Sequence, residues 1–173
     1  SIGFTARREL FTGTGEGLFS PNLPMTRAMF VTVLWRMAGS PAAEGELTFT
    51  DLKGEWYRQA VRWAVANGIA DGYGAERFGP DDPVSREQMC VFLCRFLEYL
   101  GWTLDREFSG AAFADGAGIS TWAADCVDIC TRAGLIQGVG GNAFAPKQSA
   151  SRMEVSTLLT RFVTKLVEKY CGV

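Results

Sequence analysis

The chain has 173 residues, 47% of them hydrophobic and 21% charged, which excludes an intrinsically disordered chain and leaves enough apolar matter for a sizeable core. Its formal net charge is −2 and it has no histidine, so nucleic acid is disfavoured as a partner and the commonest metal ligand and neutral-pH general base are missing. No apolar run approaches the ~20 residues that cross a bilayer, and the opening SIGFTARREL has neither an apolar signal core nor a cleavage site.

One frame, F-x-P-x-x-x-x-[S/T]-R, recurs three times: Phe19 to Arg27 (FSPNLPMTR), Phe78 to Arg86 (FGPDDPVSR) and Phe144 to Arg152 (FAPKQSASR). A glycine stands six residues before each Phe (Gly13, Gly72, Gly138), and the spacings are 78 − 19 = 59 and 144 − 78 = 66. Such regularity marks a repeat architecture. The repeats run over about 1–39, 49–101 and 113–173, joined by the polar linker Ser40 to Glu46 and by Trp102 to Ala112, within one domain of residues 1–173.

Repeat 1 is incomplete, because the position equivalent to Trp56 falls at 19 − 22 = −3, and the chain is expected to be a fragment of a longer protein. In repeats 2 and 3, Trp56 and Trp122 each precede the anchor Phe by 22 residues and open an amphipathic segment, Trp56 to Asn67 and Trp122 to Ala133. Each segment stops at a glycine, Gly68 or Gly134, as a helix C-terminus does. A Gly- and Asp-rich loop follows, and the [S/T]-R then starts a second helix: Thr26 to Ala38, Ser85 to Leu100 and Ser151 to Lys169. Its aligned apolar columns are Phe30/Met89/Val155, Val33/Phe92/Leu158, Leu34/Leu93/Leu159 and Met37/Phe96/Phe162, one apolar face per helix.

Ser151 and Glu154 have the spacing of a capping box, Ser85 and Gln88 likewise, while Thr26 faces Met29 and caps in one direction only. The arginine that follows each cap is not explained by capping. A cation at the first helical position opposes the helix dipole by a few tenths of a kcal/mol. Two readings are open: a site where guanidinium and helix N-terminus grip a carboxylate or phosphate, or a salt bridge to a neighbouring repeat or to Glu154. Trp56 and Trp122 suit either sugar stacking or the core. A second arginine nine residues on (Arg36, Arg95, Arg161) reads as a solvated group or ion pair, and Asp51 and Asp115 as caps or turn formers. Four of the five cysteines (Cys90, Cys94, Cys126, Cys130) align mostly with small or apolar positions and read as packing, with a four-cysteine metal site the alternative, and Cys171 reads as a free thiol.

These motifs resemble the S-layer homology family, whose pattern F-x-D-x-x-x-x-W-A, helix ending G-[IL], G-x-x-x-x-x-F loop, then P-x-x-x-[ILVM]-[ST]-R-x-E reads here as FTDLKGEW with NGIADGYGAERFGPDDPVSRE, and FADGAGISTW with AGLIQGVGGNAFAPKQSASRME. The resemblance implies an all-α fold of three helix-loop-helix repeats in a pseudo-threefold spindle around a central helix bundle. It also implies non-covalent anchoring of a larger surface protein to the bacterial cell wall, extracellularly, through a peptidoglycan-linked secondary cell wall polysaccharide with a pyruvylated aminosugar terminus. Carried over by position, Arg27, Arg86 and Arg152 would contact the ligand carboxylate from exposed helix starts, where Arg86→Ala or Arg152→Ala would weaken binding without unfolding the domain, with Glu154 the one family glutamate present, and Trp56, Trp122, Asp71, Gly72 and Gly138 would line the grooves. One or two competent grooves are expected, not three equal ones. No cofactor, metal or catalytic residue is expected: no paired carboxylates stand out for glycoside hydrolysis, and histidine is missing from any nucleophile-base pair. The competing reading is a protein-protein interaction module whose grooves take a peptide or partner helix, favoured by apolar groove walls without converging arginines.

Overall fold

The computed structural model describes residues 20–105, 107–108 and 113–171, the last without its side chain. Gly13, Phe19 and the rest of the loop of repeat 1 lie outside the described residues. Among the described residues there are five α-helices and no strands: α1 (Arg27–Met37), α2 (Arg58–Ala66), α3 (Arg86–Leu100), α4 (Ala124–Arg132) and α5 (Arg152–Cys171). α2 and α4 are each led in by a single 3-10 turn, Glu55–Tyr57 and Thr121–Ala123.

The three long helices begin as their caps dictate. Thr26 accepts from the Met29 amide only, whereas Ser85 with Gln88 and Ser151 with Glu154 close reciprocal boxes. α2 and α4 end where Gly68 and Gly134 turn left-handed, at φ +66° and +69°, a conformation that favours glycine.

The apolar columns bury together. Phe30 of α1 stacks on Phe92 of α3 at 5.9 Å between ring centroids, and Phe96 of α3 meets Phe162 of α5 at 6.2 Å. The helices of neighbouring repeats interlock, since α2 of repeat 2 lies against α1 of repeat 1, and α4 of repeat 3 against α3 of repeat 2. Trp63 of α2 also reaches α3 through Phe96 and Tyr99.

The ring is closed by the residue just before each cap. Met25 N–H donates to Ala150 O, Ala150 N–H to Val84 O and Val84 N–H to Met25 O, each at 2.8 Å. All three side chains are fully buried. A triangle of backbone bonds in which every member both donates and accepts satisfies three buried peptide groups at once, and it requires all three repeats.

Candidate ligand-binding site

The same cyclic rule aims each helix N-terminus at a neighbouring loop. Arg27 and Ala28 amides donate to Asp82 O and Pro80 O, Arg86 and Glu87 amides to Gln148 O and Pro146 O, and Arg152 and Met153 amides to Leu23 O and Pro21 O, at 2.9 to 3.1 Å. With the third amide held by the cap, the N–H groups that would otherwise attract an anion are already bonded.

The arginine side chains follow. Arg27 donates from Nε to Phe78 O (3.0 Å) and from Nη2 to Asp71 O (2.5 Å). Arg86 repeats this on the next loop, to Phe144 O (2.8 Å) and Gln137 O (2.7 Å). Arg152 donates to Met29 Sδ across the third junction. The guanidinium groups of two repeats thus meet the third helical residue of another, Arg86 on Glu154 and Arg152 on Met29, while Arg27 and Gln88 are linked through Tyr73. The reading of these arginines as exposed helix starts is corrected here, since Arg27, Arg86 and Arg152 retain only 2–3% of their accessible surface. Burial pushes the Arg27 pKa down, partly opposed by Tyr73 and Asp82, and burial lowers that of Arg152.

Behind each guanidinium the loop is pinned by an aspartate. Asp51 accepts from the amides of Phe78 (3.0 Å) and Gly79 (2.7 Å), and Asp115 from those of Phe144 and Ala145 (both 2.7 Å). Burial pushes the Asp51 pKa up, but its backbone N–H donors outweigh it and hold the carboxyl below its usual range. The Phe144 amide, opposed by some desolvation and aided by the Ala145 amide, does the same for Asp115. The sequence showed these residues as caps or turn formers; they are cross-loop clamps. Gly72 and Gly138 permit the close approach, because a Cβ on Gly72 would stand 2.4 Å from the Phe49 ring and one on Gly138 2.6 Å from Ala143 O.

Between repeats 2 and 3 these elements enclose a cavity of ≈430 Å³ lined by Arg86, Glu154 and Arg161, by Gln137 and Gly138, and by an apolar wall that includes Leu135 and Val139. Arg86 ion-pairs with Glu154. Arg161, half-buried, donates to Leu135 O at 3.2 Å. Between repeats 1 and 2 the equivalent positions differ: Tyr73 lays its ring over the Arg27 guanidinium at 4.4 Å, its hydroxyl accepting from Gln88 Nε2 at 3.3 Å. There Asp71 pairs with Arg95 at 2.7 Å and Asp82 with Arg77 at 2.6 Å.

Of the residues expected from the sequence, Arg86, Glu154 and Gly138 therefore meet in one cavity, Arg27 and Asp71 meet at the adjacent junction beside Gly72, and Arg152 occupies the third. The tryptophans stand elsewhere. Trp56 and Trp122 are 54% and 57% exposed, which removes the core reading; Trp63 is the buried one. Trp122 has Lys147 Nζ 6.0 Å from its ring centre, and that ammonium bonds the buried Glu87 and Ser120 Oγ, both at 2.5 Å. Arg161, Gln137, Tyr73 and Lys147 were missed as site residues, although the nine-residue spacing of the paired arginines was visible.

Cys90, Cys94 and Cys130 are buried and Cys126 half-buried, and none of these four is in a disulfide. Contact with Cys94 and burial push the Cys126 thiol pKa up, and contacts with Cys90 and Cys94 do the same for Cys130. Among the described residues no histidine, cysteine or acidic cluster is arranged to hold a metal ion, so the four-cysteine metal alternative finds no support.

Helical repeats closed into a ring, with arginine-floored junctions between neighbours, define a cyclic tandem-repeat module. The chain belongs to the S-layer homology domain family, whose profile matches residues 1–29, 48–90 and 112–156. It is similar to an amylopullulanase of Thermoanaerobacterium thermosulfurigenes (30% identity over 95% of this chain and 9% of that protein) and to the exoglucanase XynX of Acetivibrio thermocellus (31% identity over 95% of this chain and 15% of that protein). It is also similar to a cellulosome-anchoring protein of Acetivibrio thermocellus, at 27% identity over 57% of this chain and 23% of that protein. The chain thus spans less than a quarter of the length of each of these relatives.

Proposed function

We propose that the chain is a non-catalytic anchoring module that tethers a larger surface protein to the bacterial cell wall by binding a peptidoglycan-linked secondary cell wall polysaccharide in the junctions between repeats. The observation that carries this reading is the cavity between repeats 2 and 3. At ≈430 Å³ it falls in the ~300–1,000 Å³ range of small-ligand sites, and it sets guanidinium groups and a polar amide against an apolar wall, as a charged sugar requires. Family membership and the likeness to a cellulosome-anchoring protein support it. So does the sharing of the same module by two otherwise different glycanases, each of which it covers over a small fraction. The acidic group is taken to be the carboxylate of a pyruvylated aminosugar at the chain end. Exposed Trp122, with Lys147 at its face, offers a platform for a further sugar ring. Among the described residues, no helix is long and apolar enough to cross a membrane.

Co-sedimentation with cell-wall sacculi, before and after chemical removal of the secondary polysaccharide, tests the proposal. Binding that disappears with the polysaccharide is the expected result. Equal binding to both preparations, or to neither, would overturn it.

A further inference from the structure

Two junctions each bring together an arginine from the start of one long helix and the later arginine of the next repeat's long helix, Arg27 with Arg95 and Arg86 with Arg161, but the carboxylate that neutralises them has changed places. At the junction of repeats 1 and 2, the later arginine, Arg95, is paired with Asp71, and the first arginine, Arg27, forms no ion pair with a carboxylate among the described residues: Asp71 and Asp82 are engaged by Arg95 and Arg77. Its charge is covered instead by the face of Tyr73. At the junction of repeats 2 and 3 the assignment is reversed. Arg86 is paired with Glu154, and the loop residue equivalent to Asp71 is Gln137, so among the described residues Arg161 bonds a carbonyl, Leu135 O, and no carboxylate. Val139 stands where Tyr73 stands in the other loop, and there the cavity is open.

Resting on the anchoring reading, we infer that the acidic group of the ligand in the junction of repeats 2 and 3 is bound by Arg161, and that Arg86, already neutralised by Glu154 and buried, is a structural arginine there. An incoming carboxylate would have to displace Glu154 from Arg86, whereas at Arg161 it meets, at a cavity wall, a half-buried cation with no counter-ion among the described residues. The residues that decide specificity are accordingly Gln137, which leaves Arg161 unpaired, and Glu154, which takes Arg86 out of play.

Two substitutions copy into this junction what the molecule already uses in the other. Gln137→Asp gives Arg161 the partner Arg95 has, and Glu154→Gln puts at the third helical position of repeat 3 the amide that repeat 2 has there, a side chain that Gln88 shows to be compatible with the cap. The assay follows the backbone amide resonance of Gly138 during titration with a pyruvylated N-acetylaminosugar and, in parallel, the same sugar without its pyruvate. In the wild-type protein only the acidic sugar is expected to shift Gly138. Arg161→Gln and Gln137→Asp should each weaken that titration by at least tenfold, and Glu154→Gln, which removes a competing carboxylate from the cavity, should tighten it. A Gly138 titration unaffected by Arg161→Gln, a loss on Glu154→Gln in a folded protein, or no Gly138 shift in the wild type would overturn the assignment. Sacculus binding separates the two failures: if it persists while these results go the wrong way, the residue assignment falls and anchoring stands; if it is absent, anchoring itself falls.

Discussion

Replacing Arg86 by alanine tests the claim that this residue holds the fold together. Read from the sequence alone, the substitution should have left the domain intact. The structure gives the opposite expectation. Arg86 is 97% buried, and it satisfies Phe144 O, Gln137 O and one oxygen of Glu154, all in the neighbouring repeat. Each hydrogen bond from a charged group is worth about 1.5–3 kcal/mol, but three on one side chain are not additive. Glu154 keeps its bonds to the Ser151 amide and hydroxyl and is 30% exposed, so water recovers part of its loss. The relevant magnitude is that of breaking one partner out of a buried pair, about 3–5 kcal/mol.

Against a total stability of ~5–15 kcal/mol that loss is large. In urea, with an m value of ~2 kcal/mol/M, the unfolding midpoint should fall by about 1.5–2.5 M. Glu154→Gln removes the charge and keeps an acceptor and the cap, so its midpoint should fall distinctly less. An Arg86→Ala midpoint within ~0.5 M of the wild type, or a larger loss in Glu154→Gln than in Arg86→Ala, would refute the reasoning.

The other expectations concern parts of the molecule away from that pair. Ser151→Ala removes the hydroxyl that accepts the Glu154 amide at 3.2 Å and should cost about 0.5–2 kcal/mol in the same urea assay, without altering the α-helical circular dichroism of the folded protein. Because Asp51 and Asp115 have folded pKa values below their unfolded ones, their contribution is present above about pH 4 and is lost as pH falls through the lower folded values. The urea midpoint should therefore drop between pH 5 and pH 2 in the wild type, and drop less in Asp51→Asn, which begins less stable at neutral pH. Gly138→Ala sets a methyl 2.6 Å from Ala143 O and should lower the thermal midpoint, with Gly116→Ala, which meets no atom within 4 Å, as the permissive control. Iodoacetamide at pH 8 should modify Cys90, Cys94 and Cys130 slowly in the folded protein and rapidly in urea, as read by peptide mass mapping; fast native labelling of Cys130 would contradict its burial.

What was legible in the sequence was what chain neighbours decide. The cap at Ser85 with Gln88, the one-way cap at Thr26 and the stops at Gly68 and Gly134 each depend on residues within a few positions, and each stands as read. Trp56 was harder because the apolar period was counted from it, whereas the α-helix starts at Arg58 after a 3-10 turn, and the tighter turn puts Trp56 off the buried face that Trp63 occupies. The destinations of Arg27 and Arg86 were out of reach for a different reason. Their acceptors are carbonyls of Phe78 and Phe144, and every residue has a carbonyl; only the ring closure brings those particular ones to the helix start.

That closure also explains why the three junctions can differ chemically while sharing a backbone. The triangle of Met25, Val84 and Ala150 and the amides that follow each cap consume main-chain groups, which no substitution short of proline removes. The guanidinium then serves the loop carbonyls it faces, so an arginine is required at that position whether or not a ligand is ever bound. The third helical residue is freer to vary, since a cap can be closed reciprocally by Glu154 or Gln88, or left one-sided by Met29. Changing it from carboxylate to amide to thioether resets the charge at a junction without moving a helix. The loop position held by Tyr73 in repeat 2 and Val139 in repeat 3 sets, in the same way, whether the arginine beneath is covered. Three junctions built on one frame can therefore hold sites of different charge and access, and it is at these variable positions, more than at the repeated arginines, that ligand preference should be sought.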